Sequence, residues 1–373
     1  MDGGDSLYFS NAGNLADWRI SMEIIHGGDI YRNRIRLDFS VNVNPLGVPG
    51  SVKESLRTAV DDCEKYPDIL SSGLKKAVGK AINAPDDELL FGNGASEIFM
   101  AIVHALRPKR MVIPVPSFYG YEHVSKAVES EILFYRLDAG NGFSADEGLL
   151  GALDGADMLF FTNPNNPTGR LTDRKYIRRL LDVCLKKGVR VVLDECFMPF
   201  CGEENSMLGE YGNYPNLMIV RAFTKIFSIP GVRLGYMICS DKKMIEKISS
   251  QLPEWNISVF AQKAGEACAK EGGFIRKTAE YVGRERIRLS DGLKGLGIKV
   301  FLSDADFLLI YTEIPLYDEL LKRGILIRDC KNFRGLKKGY YRIAVKNETD
   351  NKELLRKVGE IVDKYRIYAS KGH

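Results

Sequence analysis

The chain has 373 residues, 45% hydrophobic and 27% charged, an ordinary globular composition with length for a large domain and a smaller one. Its 53 basic and 49 acidic residues nearly cancel to a net charge of +4, with no block of like charge, which argues against a nucleic-acid partner but leaves small anionic substrates open. No apolar run approaches the ~20 residues of a membrane span, and four histidines without HxH or HExxH spacing offer no pattern for a metal site.

The chain starts with "MDGGDSLYFSNAGN", polar and acidic, without the basic start and apolar middle of a secretory signal. Seven scattered cysteines, odd in number and without CxxC spacing, predict reduced thiols in a cytoplasmic protein. The first 48 residues hold a turn-rich stretch, "VNVNPLGVPG", and no long helix. From about residue 88 to 240, short apolar runs alternate with helix-like stretches. "ELLFG" leads into "NGASEIFMAIVHAL", "RMVIPVP" into "FYGYEHVSKAVES", and "MLFFTNP" into "TDRKYIRRLLDVCLKKG". "RVVLDE", "LMIVRAF" and "RLGYMIC" follow. Short apolar runs bounded by turn residues predict buried strands of a mostly parallel sheet with crossover helices. Residues 257–296 read as helices. "IKVFLSDADFLLIYTEI", "ILIRD" and "GYYRIAVK" read as strands, and "NKELLRKVGEIVDKYRIY" as a final amphipathic helix. The expected fold is α/β. A large domain over 49–255 carries the mostly parallel sheet flanked by helices. A smaller α+β domain combines an N-terminal arm, 1–48, with the C-terminal part, 256–373.

Functional residues of such a sheet gather at strand ends. Lys225 follows the strand of "RAFTK". It either snorkels to the surface or, if desolvated, presents a neutral amine that condenses with an aldehyde. Asp194 ends "VVLD", as a turn residue or as the partner of a protonated ring nitrogen. "FGNGASEIF" is either a plain strand-to-helix connection or a phosphate site at a helix start, with Thr224 and Arg233 adding a hydroxyl and a guanidinium. Phe118 is a core aromatic or stacks on a flat ring. "FTNPNNPTG" sets several amides in one turn. An aldehyde, a phosphate, a basic ring nitrogen and an aromatic face together describe pyridoxal 5′-phosphate.

The order of these motifs (glycine turn, aromatic, Asn-Pro-Thr-Gly, Asp, Lys, Arg) resembles the aspartate aminotransferase superfamily, the fold type I pyridoxal-phosphate enzymes. The resemblance implies a seven-stranded-type sheet and a homodimer with shared sites. It implies that Lys225 bonds the cofactor aldehyde and moves protons, and that Asp194 keeps the ring nitrogen protonated. Asn166 is expected on the ring hydroxyl. Gly94, Ala95, Ser96, Thr224 and Arg233 are expected on the phosphate, with Tyr66 reaching the neighbouring subunit's cofactor. Ala222 and Phe197 depart from the pattern, since many relatives carry hydroxyl-bearing residues at both places.

"IIHGGDIYR", "LDFSVNVNPLG", "DECF", "FTKIFSIPGVRLGY" and "ILIRDCKNFRGL" with "YYRIAV" resemble L-threonine-O-3-phosphate decarboxylase more than its neighbour branch, histidinol-phosphate aminotransferase. The first reading is therefore a lyase that decarboxylates O-phospho-L-threonine in cobalamin biosynthesis. The second is an aminotransferase, and a remote third is a non-catalytic pyridoxal-phosphate-binding protein. Substrate contacts are expected from Arg342 as a carboxylate clamp, from Arg328, and from His26, Gly27 and Gly28 of the N-terminal arm.

Overall fold

In the computed structural model, which describes residues 27–371, the strands are β1 (Leu37–Asp38), β2 (Leu89–Gly92), β3 (Arg110–Val115), β4 (Glu131–Arg136), β5 (Met158–Thr162), β6 (Arg190–Asp194), β7 (Leu217–Ala222), β8 (Gly235–Ile238), β9 (Lys299–Val300), β10 (Phe307–Tyr311), β11 (Ile325–Leu326), β12 (Arg328–Asp329) and β13 (Tyr340–Ala344). The apolar runs of five or six residues are too short for core helices and apolar on both faces, so they become central strands. They form a seven-stranded sheet in the order β2-β8-β7-β6-β5-β3-β4. Its five strands from β3 to β7 are parallel, and β8 runs antiparallel between β2 and β7. β5 and β7 are buried along their whole length.

Strand β4 was not among the predicted elements. It is the sheet edge, partly exposed throughout, with Glu131 and Arg136 at its ends, so it lacks the continuous apolar signal of its neighbours. The helices Ala95–Leu106, Tyr119–Ala127, Glu147–Ala152 and Arg174–Lys187 lie between successive strands. Arg174–Lys187 is delimited by its chemistry: the Asp173 side chain accepts from the Lys175 amide at its start, and Gly188 takes the left-handed conformation at its end.

A second sheet, β12-β13-β10-β9, is antiparallel and four-stranded. The helices Gly272–Gly295 and Glu348–Lys371 pack together beside it. Leu37 and Asp38 pair in parallel with Ile325 and Leu326, tying the N-terminal segment to the C-terminal part. The helix Val259–Cys268 packs on the helices Gly50–Thr58 and Ser72–Ile82. One apolar cluster runs from Val191 and Phe223 beneath the large sheet to Phe307, Ile343 and Val358, so the two sheets share a core. The other face of the large sheet has its own cluster, including Ile98, Phe99, Met111 and Phe160. With both layers anchored, the carboxyl ends of β5, β6 and β7 open toward β12 and β13. No described helix is long and apolar enough to cross a membrane.

Candidate active site

A cavity of about 680 Å³ lies at that opening. Gly94, Ala95, Ser96, Phe118, Asn166, Asp194, Thr224, Lys225, Arg233, Arg328, Arg342 and Gly27 all line it. Lys225 sits in the one-turn helix Phe223–Ile226 that follows β7. Its carbonyl accepts from the Asn44 amide at 3.0 Å, and Asn44 Nδ2 donates to the Ile226 carbonyl at 2.6 Å. The N-terminal segment therefore buttresses the lysine's backbone from behind. Burial holds the Lys225 ammonium below the ordinary lysine range, and the Arg342 and Arg233 charges push the same way.

Asp194 ends β6 with its carboxylate at the cavity wall. Oδ1 accepts from the Cys196 amide at 2.9 Å and Oδ2 from the Tyr121 hydroxyl at 2.5 Å. Burial pushes the Asp194 carboxyl up, while the bonds from Cys196 and Tyr121 and the Lys225 charge pull it down. Asn166 belongs to a turn closed by Gly169 N donating to the Asn165 carbonyl at 2.7 Å and by Asn165 Nδ2 donating to the Pro116 carbonyl at 3.0 Å. That second bond fastens the turn beside Phe118.

Gly94 precedes the helix Ala95–Leu106, which has no side-chain cap, so its first amides are open to the cavity. Gly94 has φ +78°, and a Cβ there would lie 2.6 Å from Arg233 Nη2. A Cβ on Gly235 would lie 2.8 Å from the Ala95 nitrogen. Bare backbone thus lets the guanidinium close over the helix start. Open amides, a guanidinium and the buried Thr224 beside the cavity make a cradle of phosphate chemistry. Ala222 also lines the cavity and brings only a methyl group. Phe197 lines it without a hydroxyl, its ring edge-on to Phe307 at 5.1 Å.

On the opposite wall Arg328 and Arg342 are direct register partners of β12 and β13. Two like charges placed opposite each other across strands cost stability and favour an anion between or beside them. Arg342 Nη1 donates to Asn166 Oδ1 at 2.5 Å and Nη2 to the Ser40 carbonyl at 2.8 Å, while its buried Nε has no hydrogen-bond partner among the described residues. Burial lowers the Arg342 guanidinium to about 10. Arg328 Nη2 donates to Asn332 Oδ1 at 2.8 Å, and its guanidinium lies 5.2 Å from the Phe333 ring centre. The segment 331–336 covers this wall. It is fastened to the helix Tyr119–Ala127 by Arg334, whose Nε and Nη2 donate to the two Glu122 oxygens at 3.2 and 2.9 Å.

Gly28 lies in an adjoining cavity of about 480 Å³, its amide donating to Ser40 Oγ at 2.7 Å. His26 lies outside the described residues. Tyr66 is 82% exposed, its ring 5.0 Å from that of Trp255, and is not part of the cavity wall of its own chain. Residue-by-residue reading of the sequence passed over four groups. Tyr121 and the segment 331–336 meet the cavity only through tertiary contacts. Asn42 lines it with Oδ1 buried and, among the described residues, unpartnered. Its signal was present, in the alternating asparagines of "SVNVN". Asp306 is fully buried, and among the described residues neither carboxylate oxygen has a hydrogen-bond partner. Burial pushes it up to about 7, against the charges of Lys225, Arg342 and Lys346.

The family model described as aminotransferase class I and II matches residues 34–358. The chain is 33% identical to a threonine-phosphate decarboxylase of Salmonella typhimurium, over 86% of this chain and 89% of that one. Among solved structures it resembles the histidinol-phosphate aminotransferase of Clostridium acetobutylicum, with TM-score 0.83, 34% identity, and 88% and 99% of the two chains covered. It also resembles the L-threonine-O-3-phosphate decarboxylase of Porphyromonas gingivalis, with TM-score 0.79, 26% identity, and 88% and 99% covered. Identity is thus nearly equal toward a decarboxylase and toward an aminotransferase.

Proposed function

The chain belongs to the class I and II aminotransferase family of pyridoxal-phosphate-dependent enzymes, and from that premise we propose that it is a cytoplasmic lyase converting O-phospho-L-threonine to carbon dioxide and (R)-1-amino-2-propanol O-2-phosphate. The observation that carries this reading is the pair Arg328 and Arg342, adjacent in register at the cavity wall, for a substrate with two anionic ends.

Arg233, Thr224, Ser96 and the Ala95 amide would hold the cofactor phosphate, with Gly94 leaving room for the guanidinium. Asp194 would serve the ring nitrogen, Asn166 the ring hydroxyl, and Phe118 the ring face. Pyridoxal phosphate, when bound, accepts the electron pair left on the substrate Cα. Lys225 Nζ, whose ammonium burial makes easier to deprotonate, would be the nucleophile for the aldehyde. Arg342 takes the substrate carboxylate in its planar fork and Arg328 the second anion. A carboxylate held in that fork would be fixed in one orientation, so that the bond from Cα to the carboxyl carbon would be the one presented for cleavage. When the carboxyl group leaves as carbon dioxide, its bonding electrons would stay behind, and Lys225 Nζ, which lines the same cavity, would take up the proton shed by the substrate amine and return it to Cα as the new C–H bond.

Members of the family are typically homodimers. We assign the exposed apolar side chains Val60, Tyr66, Ile69, Leu70 and Trp255 to the contact with a second copy, bringing Tyr66 to the partner's cofactor. The second reading, transamination of histidinol phosphate, is favoured by the 34% identity to the Clostridium acetobutylicum enzyme. Product analysis separates the two. The lyase releases carbon dioxide from O-phosphothreonine with no oxo acid present. Turnover that strictly needs 2-oxoglutarate, with no carbon dioxide, rejects it.

A further inference from the structure

Tyr121 stands three residues beyond Phe118 on the helix Tyr119–Ala127 and is 1% exposed. Its ring is stacked on Phe160 at 4.9 Å and 16°, and meets Phe99 edge-on at 5.4 Å and Phe118 edge-on at 5.6 Å. Aromatic contacts on several sides leave the phenol oxygen a fixed position. That oxygen lies 2.5 Å from Asp194 Oδ2 and 2.7 Å from Thr162 Oγ1.

The proton order along this row follows from the acceptor at its end. An ionised carboxylate only accepts, so the single phenol proton points to Asp194. Thr162, the last residue of β5, then gives its hydroxyl proton to the phenol oxygen. Donation into the phenol polarises its own O–H and strengthens the bond to the carboxylate. Burial holds the Tyr121 phenol well above its ordinary range, so it stays a donor. Asp194 Oδ1 is meanwhile held by the Cys196 amide. A carboxylate offers about four lone-pair sites, so a site facing the cavity remains for a ring N–H.

We propose that Tyr121 is a positioning residue for Asp194: its hydroxyl, oriented by Thr162, keeps the carboxylate ionised and aimed at the ring nitrogen of pyridoxal phosphate. The proposal rests on the reading of the cavity as that cofactor's site. Without the phenol, a buried carboxylate loses a charge-assisted donor and takes up a proton more readily. A neutral Asp194 no longer favours a protonated ring nitrogen, and the ring accepts electrons less well. Because Phe118 packs on Tyr121, the residue set against the ring face and the one steering its nitrogen belong to one aromatic unit.

The test uses holoenzyme loaded with cofactor labelled with ¹⁵N in the ring. In wild type the ring-nitrogen resonance stands at the protonated position. In Tyr121→Phe, which keeps the aromatic packing, it moves toward the unprotonated position, and kcat falls on the order of ten-fold with KM little changed, as for loss of one charge-assisted bond. Thr162→Val moves the resonance the same way by less, and Thr162→Ser, which keeps the hydroxyl, leaves it in place. If Tyr121→Phe does not fold, the two Thr162 variants decide. An unmoved resonance in Tyr121→Phe, or in Thr162→Val when only that variant folds, overturns the proposal while leaving the cofactor assignment standing. A wild type that takes up no cofactor overturns both.

Discussion

Arg342 and Asn166, 176 residues apart in the chain, are hydrogen-bonded in the cavity, Nη1 donating to Oδ1 at 2.5 Å. The bond joins the small sheet to the turn after β5. Its two hydrogen-bonded partners are neutral carbonyl oxygens, so among the described residues no carboxylate is bonded to Arg342, although the Asp306 and Asp38 charges act on it. A buried guanidinium with no bonded carboxylate is costly and gains from an arriving anion.

Arg342→Ala should therefore raise KM for a carboxylated substrate on the order of a hundred-fold, since truncating one side of a buried charge pair costs about 2–5 kcal/mol. Arg342→Lys should recover only part of this, because an ammonium lacks the planar fork. Steady-state kinetics beside a cofactor titration checks it. A larger loss of cofactor affinity than of substrate affinity would mean that Arg342 acts through Asn166.

Lys225→Ala should abolish the covalent attachment and its visible absorbance while leaving the phosphate cradle intact. Turnover should fall at least about a hundred-fold, the low end for removing a positioned acid–base group. Absorbance spectra and a cofactor-binding curve on the variant measure both parts. Retention of the wild-type chromophore would remove Lys225 from its role.

Asp306 gives a pH signature. Its carboxyl rises from the ordinary value of 3.8 to about 7, chiefly by burial. The folded chain therefore binds one more proton than the unfolded chain between those values. The stability Asp306 contributes is full below 3.8 and is lost as pH rises through about 7. Asp306→Asn should gain on wild type over that window, by on the order of a few kcal/mol at its top. Lys225, Arg342 and Lys346 are the cations facing the group and limit the gain. Urea unfolding of cofactor-free protein at about pH 5 and about pH 8 reads the difference. A gap independent of pH would show that the carboxylate is fully compensated.

Tyr66 can be tested by subunit mixing. If it serves the partner's site, Lys225→Ala and Tyr66→Ala chains are each impaired, yet a mixed dimer pairs an intact lysine with an intact tyrosine in one site. Activity should reappear on mixing, and sedimentation should show dimers throughout. No recovery from exchanged subunits would place Tyr66 in its own chain's site or outside the chemistry.

The residues legible in the sequence share one property: each belongs to a local pattern whose meaning is complete within a few residues. Asp194 ends an apolar strand, Lys225 follows one within a single helical turn, and Gly94 stands between a strand and an amphipathic helix. Strand β4 escaped because an edge strand dilutes its apolar residues with charge. Tyr121 escaped because "FYGYEHV" reads as an ordinary helix start. Nothing local says that its hydroxyl meets a carboxylate 73 positions later.

Local pattern carries the central strands, their turns and the chemical type of the residues at their ends, because short-range backbone geometry and apolar periodicity act within a few residues. Long-range packing brings Thr162 to Tyr121 and Tyr121 to Asp194, bonds Arg342 to Asn166, and buries Asp306 with no hydrogen-bond partner among the described residues. Those facts depend on the register of β10, β12 and β13 and on how the small sheet docks over the large one. A one-residue shift of register turns every side chain of a strand to its other face, so long-range packing fixes what local pattern leaves open.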